Sequence, residues 1–213
     1  MVRFYVGEIT GTTPQTVSIL TDSSSIPIQV SEGNKWYTYV LPKDKGLYKI
    51  FGDSVKKVVV KADITTYGTT AIIPSSTIEA SFKGSNTSKV TKMSGMFLSG
   101  TSLTSLDVSS FNTSNVTDMR GMFGSCTSLT SLDVSSFNTS NVTSMYCMFQ
   151  FCNGLTSLDL SNFDTSNVTD MDSVFNGCSE LKTITMKKCT QETITKIQNQ
   201  LTKDGITRVE IIQ

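Results

Sequence analysis

Apolar side chains recur in this chain at a fixed interval of 26 residues. Leu106, Leu132 and Leu158 align, as do Phe111, Phe137 and Phe163, and Val116, Val142 and Val168. Met119, Met145 and Met171 follow in register, then Phe123, Phe149 and Phe175, then Cys126, Cys152 and Cys178. A worn copy precedes them, with Val90, Met93, Met96, Phe97 and Leu103, and a half copy follows, with Leu181, Ile184 and Met186. Self-similarity at such a period marks a stack of like supersecondary units. One unit cannot bury its apolar side alone, so the core forms only when several stack.

Inside the unit, Leu129-x-x-Leu132-x-Val134-x-x-Phe137 has the spacing of a leucine-rich repeat, with Phe where Asn or Cys usually stands. Alternation predicts a short strand with Leu132 and Val134 inward and Ser131, Asp133 and Ser135 outward. Val142, Met145, Met148, Phe149 and Cys152 then fall at offsets 0, 3, 6, 7 and 10, which predicts one face of a three-turn helix. Asn141 stands at the expected N-cap. Asp118 and Asp170 would sit in the first helical turn of neighbouring copies. Gly124, Gly177 and Asn153-Gly154 lie where the helix would end. The expected fold is thus an α/β leucine-rich-repeat solenoid of strand-turn-helix units.

The flanks follow other rules. In residues 1–62, Val2, Phe4 and Val6 alternate, then Val17 and Ile19, then Ile26, Ile28 and Val30. Trp36, Thr38 and Val40 share one face and Tyr37, Tyr39 and Leu41 the other, and Leu47–Phe51 and Val55–Val60 follow. Asp22-Ser-Ser-Ser, Glu32-Gly-Asn and Lys43-Asp-Lys-Gly separate these runs with residues that accept turn geometry. About six strands so spaced predict a small all-β N-terminal domain, a sandwich or barrel, that could serve as an anchor. Residues 63–82 read as a connector and a degenerate first repeat strand, 83–186 as the repeats, and 187–213 as a helix-strand cap. In that cap Thr190 starts a helix that buries Ile194, Ile197 and Leu201, and Gly205 ends it. Ile206 to Ile212 then forms a last strand.

The string Leu158-Asp-Leu-Ser-Asn-Phe-Asp-Thr-Ser-Asn-Val-Thr-Asp-Met171, with Phe175, Cys178 and Leu181, resembles the BspA-like leucine-rich repeat. The resemblance covers residues 80–186. It implies a non-catalytic solenoid used in adhesion or partner binding, of the kind found in surface proteins of gut and oral bacteria and of mycoplasmas. It carries over no active-site residue, and the N-terminal sheet domain lies outside it.

Composition narrows the chemistry. The formal net charge is zero, so no global field recruits nucleic acid or a membrane. The distribution is uneven, however. Between Phe97 and Leu181 Arg120 is the only basic residue, against seven aspartates and one glutamate. The chain has no histidine, which removes His-based triads, His-ligated metals and the usual base near neutral pH. No run has the length of a transmembrane span and no signal-peptide core is visible, so folding in the cytoplasm without membrane insertion is expected.

Asp107, Asp133 and Asp159 form an outward ladder, expected at about 4.8 Å per step. Carboxylates at that spacing suit a retaining glycosidase, or Ca²⁺ ligation. Yet an acid-base pair needs two different environments, and a repeated ladder offers the same one three times. No catalytic residue, cofactor or metal is therefore expected. Cys126, Cys152 and Cys178 read as core fillers rather than as disulfides or zinc ligands, with Cys147 out of register and more exposed. The sequons at Asn115, Asn141 and Asn167 coincide with the proposed caps and are explained by them. Trp36, Tyr37, Tyr39 and Tyr48 read as strand aromatics before a sugar platform.

The expected function is non-enzymatic recognition or display. Its binding face is the concave strand row Ser105, Asp107, Ser109, Ser131, Asp133, Ser135, Ser157, Asp159 and Ser161, facing a protein or glycan ligand. With no export signal in view, a structural or host-adhesion component of a phage virion, anchored through the N-terminal domain, is the first placement. A bacterial cell-surface adhesin for host matrix protein or glycan is the second, and a carbohydrate-active enzyme using the Asp ladder the third. Homo-oligomerisation stays open.

Overall fold

The computed structural model describes residues 1–8, 15–21, 24–42, 45–68 and 70–213. The alternating runs form β1 (Val2–Val6), β2 (Gln15–Thr21), β3 (Ser25–Val30), β4 (Lys35–Tyr39), β5 (Lys45–Phe51) and β6 (Val55–Val60). Alternation does its work here: Val2, Phe4 and Val6 are buried, as are Val17 and Ile19. Of the turn clusters between the strands, Asp22, Ser23, Lys43 and Asp44 lie outside the described residues, and Asn34 takes a left-handed φ of 54°. After β7 (Ile64–Tyr67), β8 (Glu79–Ser81) and β9 (Ser105–Asp107), two sheets are complete. One runs β3-β2-β5-β7 and the other β4-β1-β6-β8-β9.

The second sheet changes character partway along. β1 pairs antiparallel with β4 and β6, but β6, β8 and β9 pair parallel, with Val58 opposite Ala80 and Ala80 opposite Leu106. The N-terminal sheet therefore supplies the first rung of a parallel solenoid, and one apolar core runs from Val2 to Leu201. β10 (Ser157–Asp159), β11 (Thr183–Thr185) and β12 (Glu210–Ile212) form the far end of the strand wall, with Leu158 opposite Ile184 and Ile184 opposite Ile211. Residues 131–133 carry the same Ser-Leu-Asp but join no ladder among the described residues.

The repeats contain no helix among the described residues, which corrects the expected strand-turn-helix unit; the fold is a β-solenoid of about six turns. The stretch expected to be helical is a chain of tight turns. Met148 N–H donates to Met145 O at 3.0 Å, Gln150 N–H to Cys147 O at 3.1 Å and Cys152 N–H to Phe149 O at 3.1 Å. The intervening amides point along the stack instead. Met145, Cys147, Phe149 and Phe151 donate to Asp170, Asp172, Val174 and Asn176 of the next coil at 2.7–3.0 Å. Left-handed residues at Cys147 (φ 55°) and Phe151 (φ 56°) divert the chain from the helical path, and Gly121 and Ser125 do so one coil earlier. The three-residue spacing that resembled a helix face is the reach of these turns.

Spacing follows from this. A helix is about 10 Å across and a strand about 4.8 Å, so helical walls splay a solenoid into a horseshoe. Here the Phe97, Phe123, Phe149 and Phe175 rings stack at 5.6, 5.6 and 6.1 Å, within 11° of parallel. Both walls thus advance at close to strand spacing, and the deep concavity expected of the strand face loses its cause.

Polar columns lock each coil to its neighbour. Buried Thr113 donates from Oγ1 to Asn138 O (2.8 Å) and accepts from Asn138 N–H (2.7 Å), and Thr139 treats Asp164 alike. Asn115, Asn141 and Asn167 donate from Nδ2 to Ser88, Ser114 and Ser140 O of the preceding coil, each at 2.7 Å. Asn141 is therefore a staple between coils rather than a helix cap. Cys126, Cys152 and Cys178 donate from Sγ to Phe97, Phe123 and Phe149 O at 3.0–3.2 Å. Burial pushes the Cys126 and Cys178 thiols up to about 12, and that of Cys152 up as well. All five cysteines are free.

The last coil has no successor, and α1 (Gln191–Lys203) stands in for one. Thr190 caps it by accepting from Thr193 N–H, and Ile194, Ile197 and Leu201 cover the core. Side chains then replace the missing main chain: Asp204 Oδ2 accepts from Phe175 N–H at 2.8 Å, and Thr193 Oγ1 accepts from Thr165 Oγ1 at 3.3 Å. Gly205 leaves the helix with φ 77°.

Candidate binding surfaces

The strand wall presents the row named from the sequence. Ser105, Ser109, Ser131, Asp133, Ser135, Ser157 and Asp159 are exposed, and Asp107 and Ser161 are partly so. Its carboxylates are engaged locally. Asp107 Oδ1 accepts from Ser109 N–H (3.0 Å) and Oγ (2.6 Å), while Asp133 and Asp159 Oδ1 each accept from the amide two residues on, Ser135 and Ser161, at 2.9 Å. Hydrogen bonds from Ser135 hold the Asp133 carboxyl below the usual carboxylate range. Each aspartate thus closes its own turn. Ser105 and Asp107 also border a hollow of about 400 Å³ shared with Trp36 and Lys57. The Trp36 ring there is covered by the Arg3 guanidinium, 4.9 Å from its centroid. Tyr37, the next aromatic of the suggested sugar platform, stacks on Phe4 at 5.6 Å.

The opposite, turn-built wall holds a larger groove, about 580 Å³. Its rims are Lys92, Leu98, Arg120, Tyr146 and Gln150, and Gly95 and Gly121 form part of its floor. Turn geometry puts them there. Gly95 and Gly121 are left-handed (φ 61° and 58°), and a Cβ on Gly121 would meet only Leu98, at 3.9 Å. The floor is low because it is glycine. Cys147 occupies the same left-handed position one coil on; expected to be more exposed, it is buried beneath the groove because its neighbour Tyr146 takes the outward place.

Charge in the groove is organised around buried Asp118. Arg120 donates to it from Nε (3.0 Å), from Nη2 (2.7 Å) and from its own amide (3.0 Å). Burial pushes the Asp118 carboxyl up, but these bonds and the charges of Arg120 and Lys92 outweigh it and hold the group below the usual range. The guanidinium is thereby fixed in orientation, with Nη1 outside the fork. Beside it Tyr146 is 46% exposed and Leu98 38%.

Positions on this wall differ between copies. Ser94, Arg120, Tyr146 and Asp172 occupy one column and Leu98, Gly124, Gln150 and Asn176 another. The strand wall has Asp at 107, 133 and 159 and Ser at 105, 131 and 157 in the three full copies, changing only in the flanking strands, to Glu79 and Ser81 and to Thr183 and Thr185. Sequence reasoning passed over the groove because these positions read as the solvent face of a helix. Two signals stood in the chain: Arg120 is the only basic residue between Phe97 and Leu181, and Tyr146 is an aromatic outside the apolar register. No group of three or more His, Cys, Asp or Glu among the described residues could hold a metal ion, and no described helix is long and apolar enough to cross a membrane.

The model of the family described as "Mycoplasma protein of unknown function, DUF285" matches residues 66–199, more than half of the chain, and the chain belongs to that family. No curated protein and no solved structure matches it.

Proposed function

We propose that this DUF285 member is a non-enzymatic recognition solenoid of the BspA-like leucine-rich-repeat kind, displayed at a surface and binding through its turn wall. The observation that carries the reading is where the copies differ. Residues that build the coil recur from copy to copy, so a position that varies between copies answers to something other than the stack. Those positions gather around the Arg120–Tyr146 groove, and the Ser-x-Asp-x-Ser row, first in line from the sequence, varies least. The absence of histidine and the local engagement of each ladder aspartate support a role without catalysis. Of the two display sites, a bacterial cell surface is favoured over a phage virion by the family's description as a mycoplasma protein.

The test is an array of glycans and matrix proteins probed with the purified chain, with Leu98→Ser/Tyr146→Ser, and with Asp107→Asn/Asp133→Asn/Asp159→Asn. Retention of one ligand class by the chain and the aspartate variant, lost in the groove variant, is expected. Retention lost only in the aspartate variant would return the site to the strand wall, and turnover of any glycan would overturn the non-enzymatic reading.

A further inference from the structure

We infer that the turn-wall groove is a site for a carboxylated sugar, a sialic or uronic acid residue of a glycan; this rests on the recognition reading above and names its ligand. Three features converge. First, the groove brings the cations Lys92 and Arg120 together beside the one carboxylate that lines it, Asp118, with Asp170 two coils on acting on Arg120 from farther away. An anionic group finds two cations side by side there, whereas from Phe97 to Leu181 the other charged residues are all acidic. Second, Asp118 grips Arg120 by Nε and Nη2, so the free side of a planar guanidinium is already oriented, as directional carboxylate binding requires. Third, half-exposed Tyr146 and Leu98 offer apolar walls beside Gly121, above which the space is open, so the apolar face of a pyranose ring can lie close to the backbone.

An acidic peptide shares the charge but not the fit. Extended peptides gain affinity by pairing with free main-chain groups. Here the N–H groups of Gly95, Gly121, Cys147 and Gln150 donate to Arg120, Tyr146, Asp172 and Cys147 O, so the wall offers no open edge. A compact ligand held by side chains is favoured. About 580 Å³ holds such a residue with its neighbours in a chain.

The experiment titrates the full chain with 3′-sialyllactose, a hyaluronan tetrasaccharide, neutral lactose and a Glu-rich peptide, by ligand-observed NMR. At least one carboxylated sugar is expected to bind, with lactose at least tenfold weaker and affinity falling as salt rises. Arg120→Gln, which keeps a hydrogen-bonding side chain and should fold with an unchanged circular dichroism spectrum, is expected to weaken binding about tenfold or more. Tyr146→Ala is expected to weaken it several-fold, and Gln198→Ala, on the exposed side of α1, to leave it unchanged. Equal affinity for lactose, or full affinity in a folded Arg120→Gln, would overturn the proposal. Binding of the peptide alone, lost in the same variants, would also overturn it while leaving the groove a recognition site. Silence toward all four ligands overturns the sugar assignment, and only silence on the broad array as well overturns the recognition reading.

Discussion

On the strand wall the outward residues are the same in three copies, yet its ladder is interrupted at residues 131–133. On the turn wall the outward residues change from coil to coil, yet its amide ladder runs from Ile50 through Ile72 and Met96 onward to the last coil. The usual expectation, that strands hold a solenoid and loops decorate it, is reversed here. Turns can carry a stack because their alternate amides point along its axis, while the other amides close the turns themselves. Once the backbone and the buried Phe, Cys and Thr columns fix the coil, the outward side chains of that wall are free to vary.

The sharpest way to break this picture is to remove the wall's buried support. Phe123 lies between Phe97 and Phe149 with no exposure. Phe123→Ala is expected to cost about 3–5 kcal/mol, through lost burial and an unfilled gap. Urea unfolding reads it, and Leu132→Ala on the interrupted strand wall should cost less. Equal costs would mean that the two walls bear the stack alike.

Next in size is the threonine column. Thr139→Val keeps the shape but strips both bonds to Asp164, for an expected loss of about 1–3 kcal/mol by the same measurement. The cysteine column gives a chemical readout. With thiols raised to about 12 by burial, Cys126 and Cys178 should not react with a disulfide reagent at pH 8 until the chain unfolds. The sign of the linked pH effect follows: the folded values lie above the ordinary 9.0, so the contribution is intact below pH 9 and drains away as pH rises toward 12. Replacing both by Ala should flatten that alkaline loss. A smaller effect of opposite direction is expected at Tyr67, whose buried hydroxyl has no hydrogen-bond partner among the described residues. Tyr67→Phe should stabilise the chain by about 1 kcal/mol.

How much of this stood in the sequence depends on the kind of signal. Strands β1 to β6 and the α1 cap were legible because period-two alternation, and Thr190 with Gly205 as start and stop, each specify one local geometry. The coil length was legible because repetition needs no geometry at all. The turn wall was not, because apolar residues three and four apart fit a helix and a run of three-residue turns equally well. Only the backbone separates these, through the left-handed positions. Gly95 and Gly121 at one of them, inside a supposed helix, were the available clue. The binding face shared this error: once residues 142–152 read as helix, Arg120 and Tyr146 became ordinary solvent positions and repetition pointed to the aspartate row instead.

The aspartate row therefore provides the smallest and most discriminating test. Asp133→Asn keeps an Oδ1 that can accept from Ser135 N–H, so at pH 7 stability should change by no more than about 0.5 kcal/mol. The acid limb should differ. Ser135 holds the Asp133 carboxyl below the usual range, so its contribution is present above the ordinary carboxylate value and is lost as pH falls through the depressed one. The wild-type chain sheds that contribution in acid and the Asn variant has none to shed. Urea midpoints at pH 7 and pH 3 should thus converge between the two chains as pH falls. A large loss at pH 7 would show that the exposed row carries the stack, and the division between a building wall and a binding wall would fail on the side that now looks simplest.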